Sequence, residues 1–269
     1  MMRSLWTAAS GMSAQQLNVD TISNNISNVD TNSFKKERLE FKSLLYQTMD
    51  RASLDRADTG KPVNLQVGLG VKPIATSRMF FQGNLEKTEI NTDLAIEGEG
   101  FFMVQTGEDE ISYTRDGSFK ISVGDGQNNL VTSEGYYVLN SDGEPITLPE
   151  NLAVKDIIIS SNGAIRYMQN GVEQDTGTTI GIVQFANPQG LEAIGGNLYT
   201  TTPASGEAIL EADIENNKSK ISQGYLELSN VNIAEEMVNL IVAQRAYELN
   251  SKAITTSDEM LQQANNLKK

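Results

Sequence analysis

The residues whose spacing could do chemistry in this sequence are carboxylates, because serine, threonine and lysine, though plentiful, stand in no nucleophile elbow or phosphate loop. The 269 residues include no cysteine and no histidine. That removes thiol nucleophiles, disulfide frameworks and the usual zinc ligands, together with the commonest general base. Acid–base work would fall to paired acids. Glu97 and Glu99 share one strand face, but Gly98 and Gly100 alternate with them and indicate a tight backbone site. Glu235 and Glu236 fall in a helix first turn, where the macrodipole accounts for acidic residues. Asn140-Ser141-Asp142-Gly143-Glu144 and Gly124-Asp125-Gly126-Gln127-Asn128 faintly resemble calcium loops. Both lack the alternating oxygen ligands and distal Glu of such a loop, so hairpin turns are expected. Arg115-Asp116-Gly117 reads as a salt-bridged hairpin turn in preference to a binding motif. Trp6 and Tyr247 stand at packing positions on helix faces, which suits a core or subunit contact better than ligand stacking. With no nucleophile elbow or phosphate loop, the expectation is a non-enzymatic chain without catalytic, cofactor or metal residues.

Charge and length narrow the partners. A net charge of -14 repels phosphate backbones and anionic lipid, so neither nucleic acid nor a membrane surface is expected as a partner. No apolar run reaches the length of a spanning helix. Arg3 near the start is not followed by the apolar stretch of a signal peptide, so export without a cleaved signal is expected. The chain is long enough for one large domain or two modest ones.

The elements that must position these residues fall into three textures. From Ser4 to Val29 the spacing is helical: Leu5, Ala8, Met12, Gln15, Val19, Ile22, Ile26 and Val29 alternate by three and four, a heptad seam with one polar interruption. Asp30-Thr31-Asn32-Ser33 stops it. Short strand-like runs follow, punctuated by Asp116-Gly117, Asp125-Gly126, Asp142-Gly143, Asn162-Gly163 and Asn170-Gly171. Turns at that density indicate an antiparallel β body. The end is helical again, with Asn232 as N-cap and Glu235 completing a capping box. There Ile233, Met237, Leu240, Gln244, Tyr247, Ser251, Ile254, Asp258 and Leu261 form one stripe, and Val242, Ala246, Leu249, Ala253 and Met260 a second beside it. Lys268 and Lys269 end the chain where the macrodipole favours cations.

The expected class is α+β: a discontinuous, coiled-coil-like helical stalk from residues 1–33 and 228–269, an extended arm or linker over 34–80, and a mainly antiparallel β body over 81–227. Two helices could simply pack on the β body. Against that, the first helix carries Asp20 as its one charge between Arg3 and Asp30, whereas a solvated face normally carries Lys and Glu. Gly11, Asn18, Asn24, Asn25 and Asn28 also weaken it, so it is expected to order only against partners. Stalks of this kind can stack head to tail into a helical filament. The expected subunit contacts are Leu5, Met12, Val19, Ile22, Ile26, Val29, Ile233, Met237, Leu240, Tyr247, Ile254 and Leu261.

Motifs throughout the chain resemble bacterial flagellar rod and hook proteins. They are Ser23-Asn24-Asn25-Ile26-Ser27-Asn28-Val29-Asp30-Thr31 with Phe34-Lys35, and the run from Gly224 through Ser229-Asn230-Val231-Asn232 to Gln244-Arg245-Ala246-Tyr247-Glu248 and Asn250-Ser251-Lys252. Between them stand Gln82-Gly83-Asn84-Leu85, Ile96-Glu97-Gly98-Glu99-Gly100-Phe101-Phe102, Tyr113-Thr114-Arg115-Asp116-Gly117-Ser118-Phe119 and Asn197-Leu198-Tyr199-Thr200. Length and the stretch from Gly68-Leu69-Gly70-Val71 to Arg78 most resemble the distal-rod branch. The family usually has Gly where Ser33 stands, and Ser makes a positive-φ turn there costlier. The resemblance implies a subunit of the flagellar basal body, homo-polymerised into the rigid driveshaft that crosses the periplasm and carries torque to the hook. It implies terminal helices in the inner tube and the β domain in the outer layer. The implied neighbours are other rod proteins, the hook protein and the P and L rings, with export through the flagellar type III apparatus. A proximal-rod or hook-type paralogue, a secreted β-rich binding module such as an adhesin or cap, and a carboxylate-only glycoside hydrolase are competing readings. The last requires a deep acidic cleft in the β body.

Overall fold

The computed structural model describes residues 2–50, 64–107, 110–124, 127–149, 156–169, 172–211 and 219–267. The turns expected at Asp125-Gly126 and Asn170-Gly171, and the terminal Lys268 and Lys269, lie outside the described residues. The chain forms two compact units: Met1–Ser27, Glu37–Arg78 and Asn232–Lys269 make one, and Asn28–Lys36 with Met79–Val231 the other.

In the first unit, α1 (Met2–Ser27) and α2 (Ile233–Asn266) follow the three-four spacing of the two ends. Asn232 caps α2 in an extended conformation, its side chain accepting from the amides of Ala234 at 3.0 Å and Glu235 at 3.4 Å. The expected arm is, where described, two antiparallel ribbons. Glu37–Ser43 pairs with Val71–Arg78, and Tyr46–Asp50 with Leu65–Gly68. Both belong to the unit that holds the helices. Arg78 closes the first ribbon on Glu37, at 2.5 Å and 2.8 Å from one carboxylate oxygen.

The second unit is β apart from a short 3-10 helix at Pro188–Gly190, and every strand pairing among the described residues is antiparallel. Its largest sheet has ten strands, with Phe101–Gln105 near the middle of the path, flanked by Tyr137–Val138 and Ile111–Thr114. That strand is buried almost along its length because successive side chains enter opposite cores. Phe102 and Val104 join Leu94, Ile96, Phe119 and Ile146 on one side. Phe101 and Met103 join Tyr113, Phe185, Leu191 and Tyr199 on the other. The second cluster is aromatic, with edge-on contacts between Phe101 and Phe185 (5.5 Å between centroids) and between Tyr113 and Phe185 (4.9 Å).

Candidate assembly surface

The two helices meet along a seam of small and polar residues. Ser4 Oγ lies 3.3 Å from Ser257 Oγ, and Asn25 Nδ2 donates to Glu236 Oε2 at 3.1 Å. Between those points, a Cβ placed on Gly11 would come within 2.8 Å of the Asn250 amide nitrogen. Contacts advance by heptads along α1 while they retreat by heptads along α2, so the helices run antiparallel. A side chain at Gly11 would require the Asn250 amide group to turn aside. Asn25 is the hub: it also donates to the Glu37 carbonyl at 2.8 Å and accepts from the Glu37 amide at 2.9 Å, fixing the start of the first ribbon. Ser10 holds the far end, its Oγ accepting from the amide of Val71 at 3.4 Å.

This seam is rotated from the expected stripe. On α2 the inward line is Glu236, Leu240, Ala243, Asn250, Ile254 and Ser257, buried or half-buried. Leu240 and Ile254 of the expected contacts lie on it. Ile233, Met237, Tyr247 and Leu261 are exposed. On α1, Ile22 is buried and Leu5, Met12, Val19 and Ile26 are half-buried, whereas Val29 is half-buried in the second unit. Glu236 does more than answer the helix dipole, since it is buried and accepts from Asn25 and, at 3.3 Å, from Asn239.

With small and polar groups occupying much of the seam, many larger apolar residues face outward. Trp6 is 74% exposed, which excludes the core role open to it from sequence. On the first turns of α2, Ile233, Met237, Val238, Ile241 (55% exposed) and Val242 (62%) form a broad patch next to the seam, and Leu249 extends it. Large apolar residues on consecutive turns of one helix face form a contiguous patch of the kind that marks an interaction surface. Charge returns further along, where Arg245 pairs with Glu248 at 2.7 Å. No helix among the described residues is long and apolar enough to cross a membrane.

Within the second unit, the motif residues Ser33, Lys35, Arg115 and Glu227 converge on a buried node. Lys35 Nζ lies 2.6 Å from Glu227 Oε1 and donates to the Phe81 carbonyl at 2.9 Å. Arg115 Nη1 is 3.4 Å from Glu227 Oε2, and Nη2 donates to the Gly98 carbonyl at 2.7 Å. All three charged side chains are almost fully buried. Burial pulls the Lys35 ammonium below its ordinary value although Glu227 opposes this, and does the same to Arg115. Arg115 therefore pairs with a distant acid and is not part of a local hairpin bridge. Ser33 does take a left-handed φ of 56°, as the usual Gly would. Its Oγ donates to the Arg115 carbonyl at 2.8 Å, offsetting strain that glycine would avoid.

The remaining candidates for chemistry have structural jobs. Gly98 and Gly100 have φ of 111° and 150°, and Glu97 accepts from Ser222 Oγ at 2.6 Å. Asn140 Oδ1 accepts from the amides of Asp142 (2.8 Å) and Glu144 (2.9 Å), making a tight turn. Gly117 lets its backbone pass against Leu94, whose carbonyl oxygen a Cβ would meet at 1.7 Å. A recess of about 180 Å³ is lined by Thr114, Asp116, Ser118, Glu134, Tyr136 and Leu198 among others. It is smaller than the roughly 300–1,000 Å³ of ordinary ligand sites. Burial raises the Asp116 carboxyl above its ordinary value, and one of its oxygens accepts from the Ser118 amide at 3.0 Å. Among the described residues, no group of three or more acidic side chains gathers as a metal site would require.

Residues 5–35 match the family described as flagella basal body rod protein, 95–167 the flagellar hook protein FlgE/F/G D1 domain, and 222–267 the flagellar basal body rod FlgEFG protein C-terminal. Over 276 residues the chain is 50% identical to the flagellar basal-body rod protein FlgG of Borreliella burgdorferi, covering 100% of both. It is 45% identical over 272 residues to that of Caulobacter vibrioides, covering 99% of this chain and 100% of the relative. A solved structure, the Helicobacter pylori flagellar hook protein FlgE2, is 18% identical over 62% of this chain and 46% of that one, with a TM-score of 0.23. A likeness that slight has no bearing on the fold.

Proposed function

The chain belongs to the family of flagellar basal-body rod protein FlgG, and we propose that it polymerises through its helix pair into the distal rod of the flagellum. The observation that carries the mode of assembly is the outward apolar patch of α2, from Ile233 to Leu249, beside an α1 with almost no charge. The helices already satisfy each other along the polar seam, so this patch is left to meet other copies. A head-to-tail contact that does not close generates a filament. Of the contacts expected from sequence, Ile233, Met237, Tyr247 and Leu261 are accessible for that purpose, whereas Leu240 and Ile254 serve the seam. In this reading the rod passes torque to the hook protein, adjoins proximal rod proteins, turns within the P and L rings, and arrives through the flagellar type III apparatus. Its role is mechanical and not catalytic.

Electron microscopy of the concentrated protein tests this. Rods are expected from the parent chain, and Val242→Asp should abolish them while leaving the circular dichroism spectrum intact, because an exposed Asp costs the monomer little and a buried unpaired one costs the contact several kcal/mol. Rods of normal length from Val242→Asp would overturn the assignment of this face.

A further inference from the structure

We propose that the second unit is closed by a shear clamp between the segments that lead the chain into it and out of it, locked by Lys35, Glu227 and Asn230. Its meaning in a torque-bearing rod rests on the reading above, but the clamp is a property of the single chain. The Ser33 amide donates to the Glu227 carbonyl at 2.8 Å, and the Asn230 amide to the Phe34 carbonyl at 3.3 Å. Residue numbers rise together along the two segments, so they run parallel. The chain therefore enters at one end of the pairing and leaves at the other. Tension between those two points loads the bonds together. Tension applied at one end would load them in turn.

Side chains reinforce the same pairing. Asn230 Oδ1 accepts from the Lys36 amide at 2.8 Å, while its Nδ2 donates to the carbonyls of Met79 (2.7 Å) and Phe81 (3.0 Å). Glu227 accepts from the Gly83 amide at 2.7 Å as well as from Lys35 and Arg115. One carboxylate and one amide thus bind all three joining segments, 33–36, 79–83 and 227–230. A Cβ on Gly83 would meet the Leu228 carbonyl oxygen at 2.0 Å, so two of these backbones are in direct contact. Water, which competes for stretched hydrogen bonds, is kept from the ion pair by the burial of Lys35 and Glu227.

Single-molecule pulling on the full chain tests the clamp. The sequence has no cysteine, so two introduced thiols give unique handles. Asp30→Cys with Ala234→Cys sets them, in chain order, before the entering segment and after the leaving one. Asp30→Cys with Glu86→Cys places both at one end, because Glu86 pairs with Leu226. The rupture force across opposite ends should be about twofold or more above that at one end, since the bonds then break together. Lys35→Met should lower the first force and leave the second, and Asn230→Ala does so in its place if Lys35→Met does not fold. Equal forces in the two geometries, or an equal drop in both, would overturn the clamp. A chain that forms rods with equal forces loses the clamp and keeps the rod. A chain that forms no rods with unequal forces keeps the clamp and loses the rod.

Discussion

The two units use apolar residues in opposite ways. In the β unit, Phe102, Val104, Leu94 and Ile146 are buried inside one core, and the buried cations Lys35 and Arg115 are paired at Glu227. In the helical unit, the seam sets Ser4, Gly11 and Asn25 against Ser257, Asn250 and Glu236 among inward Ile22, Leu240 and Ile254, while Trp6, Ile241 and Val242 face outward. The first arrangement is that of a part stable alone. The second trades monomer stability for surface, because each hydroxyl or amide pair in the seam contributes about 1 kcal/mol where burying an aliphatic side chain contributes about 2. Such a unit gains most of its stabilisation when the outward face is covered.

Substitutions can break or sharpen that contrast. The largest effect is expected from Phe102→Ala, which should cost about 3–5 kcal/mol in urea unfolding of the β unit by leaving a cavity beside Phe119. A cost as small as that of a seam substitution would remove the contrast. Asn25→Ala comes next, at about 2–3 kcal/mol for the helical unit, since it strips partners from Glu236 and from the Glu37 backbone. Hydrogen exchange should rise in α1 and in Glu37–Ser43, with the β unit unaffected.

Asp116→Asn tests burial of charge within the β unit. Because burial raises the folded carboxyl above 3.8, the folded state holds its proton to higher pH than the unfolded chain does. Asp116 therefore stabilises least once pH exceeds its folded value. The Asn variant, which can still accept from Ser118, should raise the denaturation midpoint at pH 7, and its advantage should vanish as pH falls to 3.8. The smallest effect belongs to Ser33→Gly. Relief of the left-handed strain and loss of the bond to Arg115 offset each other, for a net change within about 1 kcal/mol.

Much of this was legible in sequence. The three-four spacing located both helices, and Asn232 marked the start of the second. Asp142-Gly143 and Asn162-Gly163 marked turns because glycine permits the backbone that a tight turn requires. The α1 stripe faces inward, but on α2 the inward line is rotated, because hydroxyl and amide side chains such as Ser257 and Asn250 take part in the approach and hydrophobic periodicity does not register them. The ribbon of Glu37–Ser43 and Val71–Arg78 is not legible in sequence because its two strands are far apart in the chain. Arg115 was visible as a candidate ion pair, but Glu227 is brought to it by tertiary structure alone. Asn25 and Lys35 stood inside recognisable motifs, and their contacts explain why those residue types stand there.

Hydroxyl-radical labelling of monomer and assembled rods tests the central claim most directly, that the outward helix face is the assembly surface. Trp6 and Met237 are both exposed and reactive in the single chain. Assembly should protect both strongly while exposed positions of the β unit such as Val123 keep their monomer reactivity. Unchanged labelling of Trp6 and Met237 in rods would contradict the account.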